Sequence, residues 1–142
     1  MKWITRERPK VDRIACPWLI VKFIGKEAGF LYVPRDEMLR LAQETGAIAY
    51  EVPNVELGHH CERRSFDALL QKYQLSDPAL LKLPHIVRGA DTNRLDLAPE
   101  ASGLYAISVE LSRHFADDHE QLRYGMVVYD ALHAWCRGGA RP

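Results

Sequence analysis

Apolar residues recur at two different spacings along this chain, and each spacing predicts a different element. Lys2 to Thr5 reads as a short strand. From about Asp12 to Ile24 the residues Ile14, Trp18, Leu19, Phe23 and Ile24 fall on one helical face. Pro17 interrupts that run. Lacking a backbone N–H, it must either kink the helix or start its second turn. Phe30 to Val33 is aromatic and β-branched and predicts a strand. Pro34 to Glu44 predicts a helix with Met38, Leu39 and Leu41 turned inward and Gly46 closing it. Ala47 to Val52 predicts a third strand, with Ile48, Tyr50 and Val52 on one face.

The second half reads as helical. An irregular segment, Val55 to Arg64, ends at Ser65, which caps a helix to about Gln71. Ser76-Asp77-Pro78 joins a capping side chain to a proline at the first helical position. The helix it starts carries Leu80, Leu81, Leu83, Ile86 and Val87, with Pro84 as a kink and Gly89 as its end. A polar loop, Ala90 to Leu97, follows. Pro99 opens a helix to about Phe115 with Leu104, Ile107, Leu111 and Phe115 on one stripe. Asp117-Asp118 opens the last helix, ending at Gly138-Gly139, where Leu122, Met126, Tyr129, His133 and Cys136 recur at helical spacing. The expected fold class is α+β, a small sheet of about three short strands with about six helices and a helical C-terminal half. Two successive β–α units make a partly parallel sheet the natural arrangement. No repeat or linker divides the 142 residues, which read as one domain.

Charge and composition remove several classes of function. Nineteen basic and nineteen acidic residues cancel. Nucleic acids and anionic membranes recruit proteins through basic excess, so no direct nucleic-acid binding is expected. A local basic patch, for example Arg6, Arg8, Lys10 and Arg13, is compatible with that balance. The longest apolar stretch, Ile14 to Val21, contains a proline and falls far short of the roughly 20 residues of a membrane span. The first residues show no apolar core or cleavage site of a secretory signal. Three cysteines, Cys16, Cys61 and Cys136, are an odd number without a CxxC pair and fit a reducing compartment, so a cytoplasmic location is expected.

Chemistry-bearing residues cluster in a few places. Gly58-His59-His60-Cys61-Glu62 is the densest set of metal-capable side chains, and imidazole, thiolate and carboxylate suit zinc and similar ions. Its spacing matches no finger or zincin, and a polar surface loop is the alternative. Arg88-Gly89-Ala90-Asp91-Thr92 sits where a helix ends. There Arg88 and Asp91 are spaced to pair across one turn and Gly89 to cap it. Cys16 lies one turn beyond Asp12, near a helix N-terminus that favours thiolate, although a buried inert cysteine is commoner. Asp130 interrupts the apolar run Gly125 to Leu132 and needs a partner if buried, for which His133 or an arginine is placed. His119 lies in the first turn of the last helix, where the dipole favours a neutral ring suited to metal ligation, with a capping or surface role as the alternative. No GxSxG, P-loop, GxGxxG or HExxH is present, so no nucleotide cofactor is expected.

Several of these segments together resemble a known family. Val11-Asp12-Arg13-Ile14-Ala15-Cys16-Pro17-Trp18-Leu19-Ile20 resembles the opening motif of the ChrB-type chromate-resistance domain. Ile86-Val87-Arg88-Gly89-Ala90-Asp91-Thr92, Asp96-Leu97-Ala98-Pro99-Glu100 and Tyr129-Asp130-Ala131-Leu132-His133-Ala134-Trp135-Cys136 follow in the family's order, so the resemblance runs from about Trp3 to Cys136. It implies a part in chromate resistance or metal stress. In longer ChrB proteins a domain like this follows an N-terminal region tied to regulating a chromate-efflux operon, so a DNA-binding role does not carry over to this segment. The family's histidine after the third strand falls on His59, its RGAD loop on Arg88 and Asp91, its first-helix motif on Asp12, Arg13 and Cys16, and its last-helix aspartate on Asp130. The chain departs at Arg64, where the family commonly has a cysteine before Ser-Phe, and Cys61 stands nearby instead. His133 stands where an aromatic residue is usual.

Three functions follow from that resemblance as expectations. In the first, the domain binds a metal or oxyanion. Zinc, iron or manganese would be held by His59, Asp91 and His119, Asp12 and Asp130 would orient those ligands, and Arg88 would pair with a tetrahedral oxyanion such as chromate. In the second, it is a metal-dependent redox enzyme or hydrolase whose ion activates water or cycles electrons, or Cys16 or Cys61 gives electrons to chromate instead. In the third, it is a non-catalytic interaction module of a regulator, acting through a partner protein. A homo-oligomer is compatible with each.

Overall fold

The computed structural model of the chain describes residues 1–50 and 65–138, and Asp12 by its backbone alone. Strand β1 (Lys2–Arg6) lies between β2 (Gly29–Val33) and β3 (Ile48–Ala49), and both pairings are parallel. Trp3, Ile4 and Thr5 are all buried, so β1 lacks the in–out alternation of a half-exposed strand, as expected of a parallel strand covered on both faces. The register runs from Lys2↔Gly29 to Arg6↔Val33 on one side and through Ile4↔Ala49 on the other. One further bond, from Tyr50 N to Ile4 O at 3.1 Å, carries the β1–β3 pairing on to Tyr50.

Helix α1 (Asp12–Leu19) connects β1 to β2, and α2 (Met38–Thr45) connects β2 to β3. Trp3 shares the main core with Ala15, Trp18 and Leu19 of α1. On β1, Ile4 lies outside that cluster, as does the buried Met38 of α2, which packs on β1 and β3. Helices α3 (Ser65–Lys72), α4 (Leu83–Asp91), α5 (Ala101–His114) and α6 (Asp118–Gly138) complete the α+β fold. No helix among the described residues is long and apolar enough to cross a membrane.

The expected elements form, with shifts in phase that have local causes. The first helix passes through Pro17 and widens into a π-helical turn at Ile20–Ile24, where Gly25 N–H bonds to Ile20 O at 2.7 Å. A 3-10 turn at Arg35–Glu37 precedes α2, which turns Met38 inward and leaves Leu39 64% exposed instead of buried. Asp77 caps the next segment as expected, accepting from Ala79 N at 2.9 Å. That segment is a 3-10 turn (Pro78–Leu81) whose tighter winding leaves Leu81 exposed. Pro84 then sits in the first turn of α4, where no N–H is needed, and so opens the helix without kinking it. On α5 the buried stripe is Ala101, Leu104, Ser108 and Ser112, and Ile107 faces outward.

Gly89 does not end a helix. It lies inside α4, and a Cβ there would stand 2.8 Å from Arg94 O and 2.9 Å from the Ala101 Cβ. The missing side chain is what lets the start of α5 approach. Gly125 does the same where α6 crosses α1, since a Cβ would come within 2.6 Å of the Ile14 Cγ2 methyl. Gly125→Ala should therefore destabilise the fold. The gain of about 1 kcal/mol in helix propensity is outweighed by overpacking worth roughly 1–3 kcal/mol. Urea denaturation should show a lower midpoint for G125A, partly restored by adding Ile14→Ala.

Candidate functional site

The site is built by the connection from β1 to α1 and by the helix that holds it. Arg8 and Val11 both adopt positive φ, 57° and 42°. Such a backbone is rare for any residue with a Cβ and rarer still for valine. Helix α6 holds the segment there. Asp118 Oδ2 accepts from Arg8 N at 3.0 Å, Gln121 Nε2 donates to Pro9 O at 2.7 Å, and the Tyr129 hydroxyl donates to Val11 O at 3.0 Å. The Arg8 guanidinium reaches back to the carbonyls of Ser112, Phe115 and Ala116, so a cation covers the negative end of α5.

Three hydroxyl-bearing residues stand side by side across the sheet beneath this connection. Thr5 is paired with Tyr32 in the register of β1 and β2, and Tyr50 follows the Ile4↔Ala49 pair on the other side of β1. Thr5 and Tyr50 are fully buried, and the Tyr32 hydroxyl is buried as well. The Thr5 hydroxyl has no hydrogen-bond partner among the described residues, and Tyr32 and Tyr50 have none there beyond each other. Burial raises the pKa of Tyr32 and holds that of Tyr50 well above the ordinary phenol value. The two phenols lie near enough to influence each other, and both sense Arg13 and Cys16 of α1. Tyr32 also senses the Asp118 carboxylate, and the His119 ring meets its ring edge-on at 5.3 Å. Asp118 Oδ1 and Gln121 Oε1 are buried without a hydrogen-bond partner among the described residues.

The location is informative. The strand order β2-β1-β3 reverses direction at β1, and Thr5 and Tyr50 lie at the carboxyl ends of β1 and β3. Open parallel sheets bind ligands at that edge and at that reversal. Hydroxyls that donate or accept, with Arg13 close by, suit a small polyoxygenated ligand.

The residues singled out by sequence are spread more widely. His119 stands at this edge, exposed, and Asp12 begins α1 there. Cys16 lies one turn along α1 and is fully buried. Arg88 donates to Asp67 of α3 at 3.2 Å in a partly buried ion pair, while Asp91 ends α4. Asp130 does not pair with His133. It accepts from Trp18 Nε1 at 2.9 Å and from Lys22 Nζ at 3.0 Å, and it is about half exposed. The His133 ring packs instead on Trp18 and Phe23 and meets Asp77 Oδ2 at 3.3 Å. His59 and Cys61 lie outside the described residues. Among the described residues, no group of three or more histidine, cysteine or acidic side chains is arranged to hold a metal ion. Sequence reasoning passed over Thr5, Tyr32, Tyr50, Asp118 and Gln121.

Residues 3–136 match the family described as ChrB, C-terminal domain. Protein ChrB of Cupriavidus metallidurans is 31% identical over 133 residues, which cover 93% of this chain and 40% of that relative. The chain thus spans well under half the length of the curated relative it matches. No solved structure matches it significantly.

Two expectations follow from this geometry. Of the six tyrosines, Tyr32 and Tyr50 should stay protonated beyond the ordinary phenol pKa of about 10. Their raised folded-state values stabilise the fold below the unfolded value, and that stability is lost as pH rises above it. Ultraviolet titration should show the Tyr32 and Tyr50 phenols ionising together with alkaline unfolding, with one late phenol fewer in each of Y32F and Y50F than in the unsubstituted protein. At Asp130 burial raises the pKa, but the Trp18 and Lys22 bonds outweigh it, so the carboxyl titrates below its usual range. Its contribution is present at neutral pH and is lost as pH falls through the lowered value. Denaturation midpoints should therefore fall less between neutral and acidic pH in Asp130→Asn than in the unsubstituted protein.

Proposed function

Because the chain belongs to the ChrB C-terminal domain family, we propose that it serves chromate resistance by binding a tetrahedral oxyanion at the carboxyl edge of its sheet. The observation that carries this reading is the set of buried hydroxyls at Thr5, Tyr32 and Tyr50, which find no partner among the described residues beyond the contact of the two phenols with each other. Each unsatisfied buried hydroxyl costs about 1–3 kcal/mol. Three such groups on neighbouring strands are hard to account for by packing alone, and a ligand offering several acceptor oxygens would satisfy them together. A guanidinium matches such oxygens bidentately, and Arg13, whose Nη2 also donates to Arg8 O at 3.4 Å, lies near the phenols. Arg88, the arginine expected from sequence to take this role, is engaged with Asp67.

Calorimetric titration with chromate tests the reading. Saturable binding is expected in the unsubstituted protein. Arg13→Gln should weaken it about tenfold to a hundredfold, since a hydrogen bond to a charged group contributes roughly 1.5–3 kcal/mol. Y32F and Y50F should weaken it less, and Arg88→Gln should leave it within about twofold, as a group outside the site would. Absence of binding, or equal binding in R13Q, overturns the proposal. One equivalent of a transition metal retained through purification, and lost in His59→Ala or Asp91→Ala, would replace it with a metal-binding function at His59, Asp91 and His119.

A further inference from the structure

We infer that this site selects an oxyanion that still carries a proton over one that is fully deprotonated; the inference rests on the oxyanion reading above. It comes from the two acceptors that α6 supplies at the same edge.

Gln121 is 1% exposed, and its amide orientation is fixed by its surroundings. The group 2.7 Å from Pro9 O must be the NH2, because a carbonyl can only accept. The atom left over, Oε1, is therefore an acceptor, and it is buried without a partner among the described residues. Asp118 is in the same position. Its Oδ2 is committed to Arg8 N, and its Oδ1 is buried without a hydrogen-bond partner among the described residues. The two residues are three apart on α6 and share one face. The His119 ring, next to Asp118 in the first turn of α6, packs 5.3 Å from the Tyr32 ring, so this end of the helix lies against the phenol.

These acceptors change what the hydroxyl row can bind. A fully deprotonated tetrahedral anion presents only lone pairs. The hydroxyls of Thr5, Tyr32 and Tyr50 and the Arg13 guanidinium can serve such an anion, but Asp118 repels it and Gln121 Oε1 gains nothing from it. A monohydrogen or dihydrogen oxyanion has both kinds of group. Its bare oxygens accept from the hydroxyls and Arg13, and its O–H donates to Asp118 Oδ1 or Gln121 Oε1. Sites that hydrogen-bond a ligand hydroxyl discriminate strongly against analogues that lack it, because the buried protein group is then left unpaired.

Sulfate and phosphate separate the two cases, since at neutral pH sulfate carries no proton and phosphate carries one or two. Calorimetric titration of the unsubstituted chain and of Asp118→Asn with sodium sulfate, sodium phosphate and chromate is the test. The amide introduced by D118N would still accept from Arg8 N while turning an N–H toward the ligand, so the fold is kept. Phosphate should bind the unsubstituted chain about a hundredfold more tightly than sulfate, and D118N should bring the two within about tenfold by gaining sulfate affinity. A gain of binding cannot come from misfolding. Equal affinity for sulfate and phosphate in the unsubstituted chain, or no gain of sulfate binding in D118N, overturns the selectivity and leaves the oxyanion reading standing. Absence of binding by all three anions overturns both.

Discussion

Residues 8 to 11 turn the chain out of β1 and into α1, and they do so through a backbone that two of them resist. Positive φ at Arg8 and Val11 costs of the order of 1–3 kcal/mol each. Three hydrogen bonds from α6 hold the segment, from residues more than a hundred positions later in the chain. Each is worth about 0.5–1.5 kcal/mol, so strain and clamp are of similar size. The consequences reach both ends of the fold. The turn sets where α1 starts and hence which of its residues face the sheet, and the Arg8 side chain ties the end of α5 to the same point. The close crossing of α1 and α6 at Ile14 and Gly125 extends this contact along the two helices.

That clamp also accounts for the polarity of the edge. Asp118 and Gln121 each use one atom to hold the connection and leave the other buried beside it. Burial that stabilises the turn thus leaves acceptors without a hydrogen-bond partner among the described residues, and the buried hydroxyls of Thr5, Tyr32 and Tyr50 add polar groups to the same edge. Buried polar groups in native proteins are nearly always paired, so a local excess of unpaired ones marks a place where stability has been given up. Active and binding sites are where such losses are usually found.

Much of the fold was legible in the sequence because strand and helix periodicities are local. β1, β2 and α6 begin and end close to where the spacing of apolar residues puts them. The misplacements at Leu39, Leu81 and Ile107 share a cause that periodicity cannot express. A 3-10 turn ahead of a helix resets its phase, and small residues such as Ser108 and Ser112 can form the buried stripe when two helices pack closely. The site was less legible for a different reason. Tyr32 and Tyr50 look like ordinary strand aromatics, and nothing local says that they flank Thr5. Their relation is a matter of register between strands separated by whole helices, and it exists only once the order β2-β1-β3 is known.

The motifs that drew attention in the sequence include several that work as fasteners. Asp130 joins α6 to α1 through Trp18 and to the π-helical turn through Lys22. His133 joins the same helix to the Asp77 cap, and Arg88 joins α4 to α3. Each bridges elements distant in sequence, and each is only partly buried, so its charge keeps some contact with water. Charged residues in such motifs can therefore be held in place by the architecture alone. The hydroxyls of Thr5, Tyr32 and Tyr50 differ in that, among the described residues, they bond to no other element of the fold outside the sheet and are shut away from solvent. Buried polar groups that tie no distant elements together have little structural reason to be polar, and it is this contrast with the fasteners that makes the carboxyl edge of the sheet the place to look for a ligand.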